Sequence, residues 1–191
     1  MFWLYITISA YCLFALANVG DKLVVSKFKT EPIVYAFYVG FLGLGTLVFI
    51  PFGVIFPGTF QLFWSGLGGL AFVMALYCMY QAIESGETTK AITLLGGSSP
   101  IFTFLFSYWF LKERLDLHQI LAFIIFVLAI IVISWPVAAS RKEKINKRLL
   151  FWGILAGVIF AASYVLAKYV YFSQPFLSGF FWIRMGGFYS S

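Results

Sequence analysis

Charge is what this sequence has least of. Only 10% of its 191 residues are Asp, Glu, Lys or Arg, where a soluble domain carries about a quarter. Acids are the scarcer sign, 7 against 13 basic residues, for a net charge of +6. Histidine occurs once, as His118, and cysteine twice, as Cys12 and Cys78, each thiol inside an apolar run. Such a set offers no disulfide framework and no zinc-ligand spacing, so no metal site and no cofactor are expected. No glycine-rich phosphate loop ending in Lys-Ser/Thr is present, which removes ATP as a driving force within this chain. His118 stands alone just past a helix boundary, so a Ser–His pair for an intramembrane serine protease is not found. The chain is expected not to be an enzyme. No basic segment or small-residue cleavage site marks a removable signal peptide, and the first apolar run reads as a retained helix.

What fills the sequence is apolar surface, at 62% of residues. A globule this short cannot hide so much of it, because burial is limited by surface-to-volume scaling. Lipid is the solvent that suits it, and the bilayer is the first partner expected. The basic residues lie in short stretches between apolar runs, where topogenic Lys and Arg sit, so a nucleic-acid partner is not expected.

A spanning helix needs about 20 apolar residues. The charge-free runs predict helices over 1–20, 33–56, 61–84, 91–111, 117–140 and 149–167. The turn cluster Pro57-Gly58-Thr59 separates the second from the third. After Gln174-Pro175 an apolar stretch of about 16 residues runs to Ser191, short of a full span. The expected fold class is all-α: a polytopic transmembrane bundle of six complete helices and part of a seventh. Trp3, Trp64, Trp109, Trp135 and Trp152 fall near the predicted helix ends, as an aromatic belt at headgroup level requires. Asp116 suits the N-cap of the fifth helix. The most polar link, 141–148, holds five basic residues and one acid and reads as a linker between two halves.

The segments on either side of that linker repeat. A shift of 146 residues aligns Phe14-Ala15 with Phe160-Ala161, Val19 with Val165, Lys22 with Lys168 and Val24 with Val170. A three-residue gap then brings Pro32 onto Pro175. Five spans separate the starts of the two copies. Because five is odd, the second copy enters from the opposite side, giving an inverted five-plus-five repeat with a site expected at the midplane between halves. The domain division is a first five-helix repeat over 1–140, a basic linker over 141–148, and a truncated start of the second repeat over 149–191.

Three stretches carry a family resemblance. They are Gln81-Ala-Ile-Glu-Ser-Gly-Glu-Thr-Thr-Lys-Ala-Ile, then Pro100-Ile-Phe-Thr, then Phe110-Leu-Lys-Glu-Arg-Leu115. Together they resemble the third-to-fourth helix signature of EamA-type transporters, of the drug/metabolite transporter superfamily. Lys112 stands where that family usually has glycine. The resemblance is strongest over 71–134. It implies ten helices in two five-helix halves and movement of metabolites or drugs, so that this chain would be an N-terminal fragment.

Several residues are candidates for the site. Arg184 lies nine residues after Pro175, about 13 Å into the seventh helix at 1.5 Å per residue. A charge near the bilayer centre costs about 2.5–3.5 kcal/mol, which a partner or an aqueous cavity normally offsets. Arg184 is therefore expected either to face a central cavity and meet a carboxylate, on substrate or protein, or to snorkel to the interface. Its gapped equivalent in the first half is Phe41. Asn18 and Tyr164 occupy matched positions one turn before Lys22 and Lys168; they line a pore or act as polar glue between helices. Lys22 and Lys168 themselves read as snorkelling at helix ends. Ser98, Ser99 and Pro100 belong to Gly96-Gly-Ser-Ser-Pro100, which is expected to interrupt the fourth helix and expose backbone to substrate, or to kink it for packing. Glu84 is the candidate coupling carboxylate, with a solvated turn as the alternative. The stripe Gly153-x-x-x-Gly157 with Ala161 predicts close helix packing.

The expected function is a secondary transporter of small organic solutes working by alternating access. The rivals are a membrane scaffold without transport and a membrane-embedded enzyme acting on lipid. A small-molecule solute and a second copy of the chain, as a homodimer, are the remaining expected partners. The expected location is a multi-pass protein of the plasma membrane. Lys and Arg counts place the N-terminus outside, whereas the family resemblance implies cytoplasmic termini, and the sequence leaves the orientation open.

Overall fold

The computed structural model describes residues 2–27, 31–86, 88–112, 116–134 and 146–190. They form seven α-helices: α1 Phe2–Lys27, α2 Pro32–Leu42, α3 Thr59–Glu84, α4 Thr88–Phe110, α5 Leu117–Ser134, α6 Lys147–Ser173 and α7 Phe176–Ser190. A 3-10 segment, Gly43–Phe52, follows α2, and the described residues contain no strand. Helices α3, α4 and α6, of 26, 23 and 27 residues, are long and apolar enough to cross a membrane. Shorter apolar stretches occupy Leu4–Ala17, Ala36–Phe52 and Leu117–Ala129. Helix length among the described residues thus supports three spans where the apolar runs predict six.

Several boundaries differ from expectation, each for a local reason. The predicted helix over 33–56 stays α-helical only to Leu42 and then tightens. At Gly43 the backbone passes so near α7 that an added Cβ would sit 3.2 Å from the Arg184 carbonyl oxygen. Pro51 further on lacks the N–H that an α-helical turn needs. Gly53, at φ +96°, ends the segment in the left-handed region. Helix α6 runs to Ser173, six residues past its predicted end, so Lys168 is interior and not terminal. It stops where Gln174 must be extended before Pro175, at φ −139° and ψ 153°. Within α4 the expected interruption at 96–100 is absent, and the helix is continuous through Pro100. Two hydroxyls bond carbonyls in the turns before Pro100: Ser98 Oγ donates to the Leu94 carbonyl at 2.7 Å and Thr103 Oγ1 to that of Ser99 at 2.8 Å.

Helix α6 is the centre of the bundle, packed on α3 and α4, and α7 lies against α3 and the 3-10 segment. Ala75, Tyr80, Ala156 and Phe160 are among the buried residues of the core. The closest approaches need glycine. A Cβ on Gly69 of α3 would overlap the backbone of Ile183 and Gly187 in α7, and one on Gly186 would lie 2.6 Å from the Gly66 Cα. On α6, Gly153 faces Leu94 and Gly157 faces Ser98, so the small-residue stripe forms the α4–α6 contact. Apolar side chains along α1 and α5 stay exposed, which suits lipid.

The α3–α4 turn is tied to the start of α6. Asn146 caps α6 by accepting from the Arg148 and Leu149 amides at 3.1 and 3.4 Å, and its side chain also donates to the Ser85 carbonyl. Arg148 donates to Gln81 Oε1 at 3.1 Å. At the other end of the bundle the Ile55 amide donates to Ser178 Oγ and the Trp182 indole to the Ile55 carbonyl, each at 3.0 Å. Those contacts hold α7 antiparallel to residues 41–55. At the start of α5, Asp116 takes the N-cap position, where its amide donates to Gln119 Oε1 at 3.0 Å. The link residues 141–145 and Trp135 lie outside the described residues.

Candidate functional site

The side chains of α2, α3, α6 and α7 enclose a cleft of about 280 Å³. Gly40, Gly43 and Gly187 contribute to its lining. Arg184 projects into it, half-buried, two turns into α7. The guanidinium carbon lies 4.3 Å from the Phe72 ring centroid and 5.3 Å from that of Phe180. Both distances fall within the range of a cation–π contact. Tyr164, Lys168 and Tyr171 of α6 line the same space. Lys168 places its Nζ 6.0 Å from the Phe172 ring. Ser163 turns its hydroxyl away, donating to the Gly68 carbonyl at 3.1 Å and fastening α6 to α3. Among the described residues the lining therefore holds two cationic side chains and no Asp or Glu.

The candidates separate into three places. Arg184 and Tyr164 share the cleft, and Tyr164 stacks on Phe160 at 5.9 Å. Asn18 is in α1, and its side chain lies outside the described residues. Ser98, Ser99 and Pro100 are on α4, and none of them lines the cleft. Ser98 and Ser99 sit beneath Gly157 of α6, and Ser99 is buried. Glu84 ends α3 on the exposed rim beside the α3–α4 turn, away from the cleft. No cluster of His, Cys, Asp or Glu among the described residues could hold a metal ion. Cys12 and Cys78 are free thiols, the first exposed and the second buried.

Sequence reasoning missed Phe72 and Phe180, which flank the guanidinium. Nothing in their local spacing singles them out among 24 phenylalanines. The position of Lys168 in the cleft was also missed, because it depends on α6 continuing past it.

Neither a curated protein nor a solved structure matches the chain. A family model does match, over residues 1–135, which covers α1 to α5. Joined to the apolar helices and the cleft between them, that match identifies an integral membrane protein that belongs to the EamA-like transporter family.

Proposed function

We propose that the chain is a secondary transporter for small organic molecules, in the plasma membrane, working by alternating access and without a covalent step. The carrying observation is the Arg184 cleft. It is walled by α2 and α3 on one side and α6 and α7 on the other, the segments assigned to different halves by the internal repeat. A cleft of about 280 Å³ lies just under the range of small-molecule pockets, roughly 300–1,000 Å³.

The repeat itself has support from the α2–α7 contact. Pro32 and Pro175 stand 143 residues apart. A two-fold axis with that offset would carry the Phe41–Phe188 ring contact onto positions 45 and 184. Gly43 meets Arg184 two residues from there. Antiparallel packing of equivalent segments about their own midpoint is what an inverted repeat produces. In this reading the two halves rock about the α2–α7 crossing, and the cleft opens to each side in turn.

The test is flux. The purified chain in proteoliposomes is offered three radiolabelled probes: N-acetyl-phenylalanine, its neutral amide N-acetyl-phenylalaninamide, and choline. Saturable uptake of at least one, above protein-free liposomes, is the expected result. Uptake of all three equal to that of protein-free liposomes overturns the reading.

A further inference from the structure

The state of Arg184 within the cleft says more about the solute than the cleft's size does. A guanidinium is planar, with π faces above and below and five N–H donors around its edge. Here Phe72 and Phe180 lie within cation–π distance of it. Cation–π contacts satisfy charge but leave edge donors unused. Among the described residues none accepts a hydrogen bond from the Arg184 side chain, and none in the lining is a carboxylate. A second basic side chain, Lys168, lines the same space. Apolar walls from Val39, Val73 and Ile183 and the phenol of Tyr171 complete the lining. A planar fork with free edges is the partner that a carboxylate or phosphate matches in bidentate fashion.

We propose that the cleft takes a small organic anion, with its charged oxygens on the edge of the Arg184 guanidinium and an apolar or aromatic body against Phe72, Phe180 and Tyr171. This rests on the transport reading for its site and adds the substrate's chemical class. A free organic acid and an anionic lipid headgroup share the recognised chemistry, and the experiment separates them.

Binding of radiolabelled N-acetyl-phenylalanine and of N-acetyl-phenylalaninamide is measured by equilibrium dialysis. The purified chain is held in nanodiscs of phosphatidylcholine alone or with phosphatidylglycerol. The two probes have nearly the same shape and differ in charge. The anion is expected to bind about 10- to 100-fold more tightly than the amide, the range for a hydrogen bond to a charged group. Arg184→Gln should remove that preference, while Arg184→Lys, which keeps charge but loses the fork, should retain part of it. Equal binding of both probes overturns the inference. So does anion binding that Arg184→Gln leaves unchanged. Binding in phosphatidylcholine that phosphatidylglycerol abolishes would assign the guanidinium to a lipid headgroup and overturn it as well. Should Arg184→Gln fail to yield monodisperse protein, the native chain's preference between the two probes decides. The two readings fail separately. Saturable flux without anion preference sinks only this inference; Arg184-dependent anion binding without flux sinks only the transport reading.

Discussion

The crossing of α3 and α7 fixes where Arg184 stands, and Gly69→Ala tests it. A Cβ at Gly69 would fall on the backbone of Ile183 and Gly187, where no flexible side chain can yield. Carbon atoms rest about 3.5–4.0 Å apart, so the two helices must part by roughly 1 Å. Overpacking of this kind costs about 1–3 kcal/mol. Against it stands the helix-forming advantage of alanine over glycine, about 1 kcal/mol. Gly66→Ala supplies the comparison that isolates the clash. It lies one turn earlier on the same helix, gains the same propensity, and its added Cβ meets nothing within 4 Å. The two variants should therefore differ by the packing cost alone. For a chain of this size about 1 kcal/mol moves the melting temperature by about 2–4 °C. Gly69→Ala should melt about 2–12 °C below Gly66→Ala in the same detergent, read by tryptophan fluorescence. Equal melting, or a more stable Gly69→Ala, would refute the close α3–α7 crossing and with it the described position of Arg184.

Two further outcomes follow from single contacts. Asn146→Ala removes the α6 cap and the tie to the Ser85 carbonyl, and should lower stability by about 1 kcal/mol, read as a fall in melting temperature that Asn146→Asp partly restores. Gly53→Ala forces a side chain into φ +96° and should destabilise by about 1–2 kcal/mol, whereas Gly45→Ala, with open space around it and no positive φ, should melt no lower than the native protein.

What could be read in advance was what depends on neighbours along the chain. The starts of α3 and α5 follow turn and cap residues, Pro57-Gly58 and Asp116, whereas the Asn146 cap of α6 falls within the stretch that reads as a linker. The stop of α6 was as local, written in Gln174-Pro175, but a lysine at 168 in an otherwise apolar run hid it. A long side chain at a cleft edge lets the helix continue through such a charge. Tertiary facts were not legible. Residues 43–52 carry local breakers in Gly43, Gly45 and Pro51, but the passage of the α7 backbone at Gly43, which accompanies their tightening, is not written in that segment. Pro100 predicts a break, yet α4 continues through it, and α6 packs against the adjoining turn at Ser98 and Ser99. In the cleft, charge made Arg184 visible, whereas Phe72 and Phe180 gain significance only by converging on it from two helices.

The energetics of Arg184 explain why a charge can stand on α7 at all. Placing it in an apolar helix costs about 2.5–3.5 kcal/mol on insertion scales. Each ring contact returns between about 0.5 and 2 kcal/mol, more as the site is desolvated. Phe72 at 4.3 Å and Phe180 at 5.3 Å together therefore return about 1–4 kcal/mol against that cost. What the rings cannot supply is an acceptor for the guanidinium N–H groups. In hydrocarbon those donors would each remain unsatisfied at a penalty of about 1–3 kcal/mol. Their side chain is instead only half-buried and opens on the cleft, so water can serve them when no solute is present. A solute that brings its own acceptor oxygens exchanges that water for a charge-assisted bond. The rings hold the cation in place through the exchange, and the helix carrying it need not move for binding to occur.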